Sequence, residues 1–262
     1  MRFFTLSDKG KVRPNNEDFV EGLELSWSGP MGDMQTITAL ILADGMGGAA
    51  AGEFASLLAV RTVRSRLLNG ILNRPPEELL NTDLKKFLSD SFEEANSAIY
   101  TKGRSDADLE GMGTTIVSTI VYKDQMTIGH VGDSRGYLYR NNNLTQITRD
   151  HSLVQELIEE GKITSQEAFT HPNRNIITRA LGVDANVVPD SNRIPMLPND
   201  IIMLCSDGLH GFADEGAIKK GFVDFFDGSK LNFQGLAERL IQVAYFGGGG
   251  DNISVALYHH QP

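Results

Sequence analysis

The 262-residue sequence predicts an α+β fold, antiparallel sheets with helices outside them, and three observations carry that prediction. An apolar, partly β-branched run from Thr36 to Ala43 has strand character and stops at Asp44-Gly45-Met46-Gly47-Gly48, a backbone too permissive to prolong it. Two stretches with apolar residues recurring at threes and fours come next. Strand-like segments then return, and the order of strands, helices and strands suits sheets covered on their outer faces.

Element by element, the Gly- and Pro-containing residues 27–35 predict a hairpin loop ahead of the 36–43 strand. Phe54, Leu57, Leu58, Val63, Leu67 and Ile71 mark a first helix. Leu80, Leu84, Phe87, Leu88, Phe92, Ala95 and Ile99 mark a second, with Pro75-Pro76 placed to open it. Both stripes are core faces. Thr114 to Tyr122, Met126 to Val131 and Gly136 to Arg140 predict strands, and Asn141-Asn142-Asn143 a turn into another, Leu144 to Ile147. Leu153 to Glu160 has helical spacing, whereas the rest of 151–190, with His171-Pro172-Asn173, predicts an irregular excursion. Ile201 to Cys205 reads as a buried strand, Gly235 to Tyr245 as a helix, Gly247 to Gly250 as a loop and Ile253 to Tyr258 as a last strand. No Pro- or Ser-rich linker divides the chain, so a single domain over 1–262 is expected.

Composition narrows the function classes. Thirty-four acidic residues against 24 Lys and Arg give a formal charge of −10, and no dense basic run offsets it. Nucleic acid is therefore not an expected partner. No apolar stretch approaches the roughly 20 residues of a membrane span. Met1 to Asp8 turns polar too soon for a signal peptide. A cytoplasmic protein without a membrane partner is expected. The single Cys205 excludes an internal disulfide and a multi-cysteine zinc site, and its apolar neighbours mark a core thiol.

The chemistry lies in the acids. Asp44 follows Ala39-Leu40-Ile41-Leu42-Ala43, Asp207 follows Ile201 to Ser206, and Asp251 stands just before Ile253-Ser254-Val255. Glu17-Asp18 adds a fourth acidic point. Several carboxylates at one end of a sheet stack repel one another and rise in pKa unless a cation neutralises them. Oxygen ligands with no His or Cys beside them suit Mg²⁺ or Mn²⁺ better than zinc. Asp is equally a common turn former and helix cap, and spacing alone leaves both readings open.

Other motifs fail on a missing residue. Gly47 to Gly52 has the spacing of a phosphate loop, but Glu53 stands where Lys is needed. Cys205 has Gly211 where a cysteine phosphatase carries Arg. Asp106-x-Asp108 follows no strand, and no Gly-x-Ser-x-Gly elbow occurs.

Six segments in order carry a family resemblance. They are Arg13-Pro14-Asn15-Asn16-Glu17-Asp18, Ala43-Asp44-Gly45-Met46-Gly47-Gly48, Gly113-Thr114-Thr115, Gly129-His130-Val131-Gly132-Asp133-Ser134-Arg135, Cys205-Ser206-Asp207-Gly208 and Gly250-Asp251-Asn252. Over essentially its whole length the chain resembles the metal-dependent type 2C Ser/Thr phosphatases. Thr148 to Val154 and Arg179 to Gly182 resemble the bacterial branch.

The resemblance implies a four-layer α-β-β-α sandwich of two antiparallel sheets flanked by helix pairs, with metals at one end. It implies Mn²⁺ or Mg²⁺, two per site, and direct attack on phosphoserine or phosphothreonine by a hydroxide bridging the metals. Asp44 would bridge them, the Gly45 carbonyl would bind one, and Asp207 and Asp251 would complete the other. Glu17 would act through metal-bound water with Asp18 in support, and Asn252 would order the Asp251 turn. Arg13 would hold the substrate phosphate, so Arg13, Asp44 and Asp207 are the catalytic candidates. Asp133 with Asp207 resembles the site of a third, looser metal. Phosphoprotein substrates, an opposing Ser/Thr kinase and a monomer are the implied partners and state.

Two residues depart from the family pattern. Met46 stands where some members have a His that can act as general acid; a metal-bound water is the expected substitute, and His151 and His171 are read chiefly as structural. Gly211 stands where many relatives carry a further Asp, leaving a third metal to Asp133 and Asp207. Residues 151–180 would form a flap whose Arg149, Lys162, Arg174 and Arg179 are either solvated charges or contacts for acidic phosphopeptides. The competing functions are an inactive phosphoprotein-binding protein of this fold and a two-metal nuclease. The retained acids oppose the first and the acidic balance opposes the second.

Overall fold

Residues 34–46 form a strand whose alternate side chains serve two cores. Ile37, Ala39, Ile41 and Ala43 face one way, Leu40 and Leu42 the other, and all six are buried. A strand covered on both faces must be apolar throughout. Burying each large aliphatic side chain contributes about 1.5–3 kcal/mol.

A computed structural model gives the arrangement and describes residues 2–29, 31–73, 78 and 83–261. Its elements in the N-terminal half are β1 (Phe3–Asp8), β2 (Asp18–Ser28), β3 (Met34–Met46), α1 (Ala49–Leu72), α2 (Leu84–Ser105), β4 (Gly113–Thr114), β5 (Ile116–Tyr122) and β6 (Gln125–Val131). They continue with β7 (Arg135–Arg140), β8 (Asn143–Gln146), α3 (Leu153–Glu159), α4 (Ser165–Phe169), β9 (Asp190–Pro195), β10 (Ile201–Cys205), α5 (Asp207–His210), α6 (Glu215–Phe225), α7 (Phe233–Phe246) and β11 (Ile253–His259). One sheet has the order β1-β11-β10-β7-β8 and the other β2-β3-β5-β6-β9, with β4 added to β3. Every pairing is antiparallel.

Three cores give four layers. Val60, Val63, Leu88 and Phe92 of α1 and α2 pack on the second sheet. Leu40, Leu42, Ile202 and Leu204 meet between the sheets. Phe222 of α6 and Leu240 of α7 cover Met203, Cys205 and Val255 of the first sheet. The α-β-β-α sandwich is therefore present.

Four expectations need correction or extension. β3 does not stop at Asp44: Gly45 and Met46 pair with Thr114 and Gly113, so β4 supplies the hydrogen bonds that keep the strand going. The 27–35 loop shrinks to a turn, because β2 runs to Ser28 and β3 starts at Met34. β1, β2, β9, α4 and α6 were not expected, and α4 and β9 order part of the supposed excursion. Pro75-Pro76 and Leu80 lie outside the described residues. The turn after β7 is as expected, with Asn141 and Asn142 at φ 50° and 59°, the left-handed pair of a tight hairpin. No described helix is long and apolar enough to cross a membrane.

Candidate metal centre

Both sheets deliver acids to the same end of the sandwich. Asp18 opens β2 directly opposite Asp44 on β3. Asp207 opens α5 at the end of β10, and Asp251 stands just before β11, the neighbour of β10. Like charges facing each other across strands are unfavourable, so this end has to be held by other contacts.

Those contacts run through the backbone. The Thr115 amide and the Thr114 hydroxyl donate to the Asp44 carbonyl at 2.9 and 2.8 Å, and the Asp44 amide donates to Thr115 Oγ1 at 3.1 Å. Ser206 Oγ donates to Asp18 Oδ2 at 2.7 Å and accepts from the Ser254 amide at 2.9 Å, tying one sheet to the other. Asn252 clamps the N-terminal loop: its Oδ1 accepts from the Glu17 amide, and its Nδ2 donates to the carbonyls of Lys9 and Asn15, each at 2.8 Å. Asn252 was expected to order the Asp251 turn; its side chain instead holds residues 9–17, and its amide donates to Asp251 Oδ1 at 2.9 Å. Gly45 is needed for close approach, because a Cβ there would lie 2.1 Å from the Gly52 carbonyl oxygen and 2.7 Å from that of Glu17.

The electrostatics are those of a site lacking positive charge. Burial, with the neighbouring Asp207 and Asp251 adding to it, pushes Asp18 up to about 7 against the pull of its serine hydrogen bonds. Burial holds Asp44 well above the carboxylate range, with Asp18, Asp207, Asp133 and Asp251 adding repulsion. Asp207 is pushed up to about 6 by burial and the charge of Asp251. Burial raises Glu17 as well. Asp18 Oδ1 is buried without a hydrogen-bond partner among the described residues. Crowded oxygen donors with an orphaned carboxylate oxygen fit a hard divalent cation.

Asp133 lies in the short crossing from β6 to β7, which belong to different sheets. Burial, then Asp207 and Asp150, hold its carboxyl well above the usual range. The mouth of the site is cationic at one point. Exposed Arg13 donates from Nη2 to Asp251 Oδ2 at 2.7 Å. Arg13, Glu17, Asp18, Asp44, Gly45, Asp133, Asp207 and Asp251 are thus brought to one end of the molecule.

His151 and His171 touch none of these carboxylates. His171 Nδ1 accepts from the Asn173 amide within a turn. His151 is buried behind Gly132; its Nδ1 accepts from the Gly132 amide at 3.1 Å, and Nε2 faces Asp190 at 3.3 Å. Gly132 takes φ 107°, where a Cβ would strike Thr115 at 2.6 Å. His130 stacks on His151 at 4.7 Å and donates from Nε2 to the Arg149 carbonyl. His130, His151 and Asp190 bring three donor atoms within 4.8 Å of one another. The Gly132 amide already occupies the His151 Nδ1 lone pair, so Nε2 carries the proton toward Asp190. The trio is a brace for the Asp133 loop.

His210 is the residue sequence reasoning missed. From α5 it donates from Nε2 to the Asp133 carbonyl at 3.0 Å, and burial pushes it down to about 3, keeping it neutral. Its position three residues after Asp207, on the same helical turn, was the available signal. Arg149, just ahead of residues 151–180, and the three cations within them are already engaged. Arg149 pairs with Glu159, Lys162 with Glu160 at 2.7 Å and Arg179 with Asp190 at 3.2 Å. Arg174 lies over Phe212 and donates to the carbonyls of Phe169 and Gly211. Cys205 is a core thiol pushed up to about 12 by burial, with no nucleophilic role.

Comparison with known proteins bears on this geometry. Residues 30–240 match the family described as Protein phosphatase 2C. The serine/threonine phosphatase stp of Listeria welshimeri is 39% identical over 251 residues, which are 96% of this chain and 92% of that protein. The crystal structure of the Mycobacterium tuberculosis serine/threonine phosphatase PstP/Ppp superposes with a TM-score of 0.81 at 36% identity, covering 100% of this chain and 99% of that one. The PstP catalytic domain in complex with two manganese ions superposes with a TM-score of 0.78 at 35% identity, covering 100% and 98%. A match of this extent, on a chain whose acids converge as described, is decisive: the chain belongs to the protein phosphatase 2C family.

Proposed function

We propose that this protein is a metal-dependent Ser/Thr phosphoprotein phosphatase. The observation that carries the reading is the convergence of Asp18, Asp44, Asp207 and Asp251 from two sheets, with Arg13 at the mouth. Asp44, the Gly45 carbonyl, Asp207 and Asp251 would hold two Mn²⁺ or Mg²⁺ ions, with Glu17 and Asp18 in support. Bound there, two such ions supply a water of lowered pKa and offset charge on the phosphoryl oxygens.

The chain's own residues do the rest. Arg13 exchanges Asp251 for the substrate phosphate, to which its guanidinium donates paired hydrogen bonds. The Asn252 clamp fixes Glu17 at the rim. The Ser206 bridge keeps Asp18 in register with Asp207. Met46 carries no proton to give, and neither His151 nor His171 reaches the acids, so the proton for the leaving oxygen would come from a water at the metal site. Asp133 and Asp207 would bind a further ion weakly, Gly211 adding no side-chain ligand.

The proposal extends to the setting: one domain with residues 151–180 as a flap, acting as a cytoplasmic monomer against a bacterial-type Ser/Thr kinase. The deciding experiment is hydrolysis of a phosphothreonine peptide by the purified protein with Mn²⁺, with Mg²⁺ and with chelator. Turnover that needs the metal supports the reading. A folded protein inert with both metals would replace it with a phosphoprotein-binding role.

A further inference from the structure

Two of the acids, Asp133 and Asp207, line one end of a larger cleft. It has a volume of about 650 Å³ and runs from Asp133 and Asp207 out between residues 151–180 and the start of α6. Its floor is neutral, because Arg135 forks onto Asp150 with three hydrogen bonds of 2.7–3.0 Å. One wall sets apolar side chains among polar ones such as Gln155 and Gln166: Val154 and Ile158 of α3 are half-buried, and Phe169 at the end of α4 is 42% exposed. The other wall carries Asp214 and Glu215. Asp214 spends one oxygen capping α6, and exposed Glu215 forms no ion pair among the described residues. Arg174, the cation on this side, is held on Phe212 and two carbonyls.

We propose that this cleft binds the part of the phosphoprotein beside the phosphorylated residue, and selects an apolar side chain against Phe169 and a Lys or Arg against Glu215. The inference rests on the phosphatase reading and assigns its substrate class. A phosphoryl group uses only the acidic end and Arg13, whereas a cleft of this size takes several side chains. Asp207 belongs both to the cleft and to the proposed metal site, so the residues beside a phosphorylated side chain held at that site can reach the cleft. Its unpaired charge is negative, which disfavours acidic flanks and favours basic ones.

The test compares phosphothreonine peptides of equal length flanked on both sides by Leu and Arg, by Ala, or by Leu and Glu, with p-nitrophenyl phosphate as a substrate too small to reach the walls. The expected kcat/KM is roughly tenfold higher for the Leu/Arg peptide than for the Leu/Glu peptide. Glu215→Lys is expected to erase or reverse that ratio. Phe169→Ala is expected to lower kcat/KM several-fold on the Leu-containing peptides, and both variants to leave p-nitrophenyl phosphate hydrolysis unchanged. Equal values across the three peptides in the unaltered protein, or a ratio that neither variant moves, would overturn the proposal. If p-nitrophenyl phosphate and every peptide stay intact with Mn²⁺, the phosphatase reading fails. The cleft is then judged by fluorescence anisotropy of the same labelled phosphopeptides: tighter binding of the Leu/Arg peptide supports the selection, and equal binding overturns it.

Discussion

His151 and Gly132 are joined by reciprocal hydrogen bonds: the His151 amide donates to the Gly132 carbonyl at 3.0 Å, and the Gly132 amide donates to His151 Nδ1 at 3.1 Å. Gly132 immediately precedes Asp133, so the imidazole acts on the acidic site through one peptide unit. His151→Ala leaves the buried Gly132 amide without its acceptor, which costs about 1–3 kcal/mol. The expected result is a lower Tm and a higher Mn²⁺ concentration for half-maximal turnover. His151→Asn, whose amide oxygen takes the place of Nδ1, is expected to keep most of both. Equal Mn²⁺ dependence in all three proteins would remove His151 from the support of Asp133.

Metal stabilisation is expected to grow with pH. In the folded metal-free protein Asp18 is pushed up to about 7 and Asp207 to about 6, both above their unfolded values. The folded state therefore holds more protons than the unfolded one between about pH 4 and 7, and these groups withdraw stability as pH rises through that window. Divalent cations bind the ionised carboxylates and displace those protons. The gain in Tm on adding saturating Mn²⁺ should be several degrees larger at pH 8 than at pH 5.5. A gain independent of pH would contradict the carboxylate assignment.

Removing one charge from the cluster separates chemistry from stability. Asp207→Asn keeps a polar side chain of the same shape and deletes a repulsive neighbour of Asp44, Asp133 and Asp18. Metal-dependent turnover is expected to fall on the order of a thousandfold. The metal-free Tm is expected to match or exceed that of the unaltered protein. Near-normal turnover at saturating Mn²⁺ would sink the ligand role of Asp207.

Arg13 should matter for substrate and not for folding. Its side chain is 49% exposed, and an ion pair so placed contributes roughly 0–1 kcal/mol. Arg13→Ala is expected to leave Tm within about a degree while raising KM for a phosphopeptide about tenfold, the loss of a charged hydrogen bond to phosphate. Arg13→Lys should recover part of it. An unchanged KM and kcat would take Arg13 out of the site.

The parts of the fold legible in the sequence are those buried on both faces. Ala39 to Ala43 and Ile201 to Cys205 are apolar without a break, and Ile253 to Tyr258 is broken only at Ser254, because each side of the strand meets a core. β1, β2 and β9 escaped notice because they lie at sheet edges or are only half-buried, so polar residues such as Glu21, Glu24, Asn192 and Arg193 interrupt them. α6 was hidden by Gly216, Lys219, Lys220 and Gly221, which blur its apolar stripe of Ile218 and Phe222. The acids were legible as motifs, each at the end of a strand or turn. Their supports were not. His210 on Asp133, Ser206 on Asp18 and His151 on Gly132 are contacts between segments far apart in the chain, created only when the two sheets close.

β1 and β11 are neighbours in one sheet, Phe3 opposite Tyr258, although nearly the whole chain lies between them. Pairings so distant in sequence form late. On the ribosome, the N-terminal strand has to wait until its partner has been synthesised and has cleared the exit tunnel. Asp251 and Asn252 emerge just ahead of that partner, so the carboxylate and the clamp that finish the site leave the ribosome after all its other acids. A stalled nascent chain ending before Ile253 is expected to release no phosphate from a phosphopeptide in Mn²⁺, and turnover by such a chain would refute the timing. Order of synthesis thus leaves the acidic site unfinished until translation has passed β11.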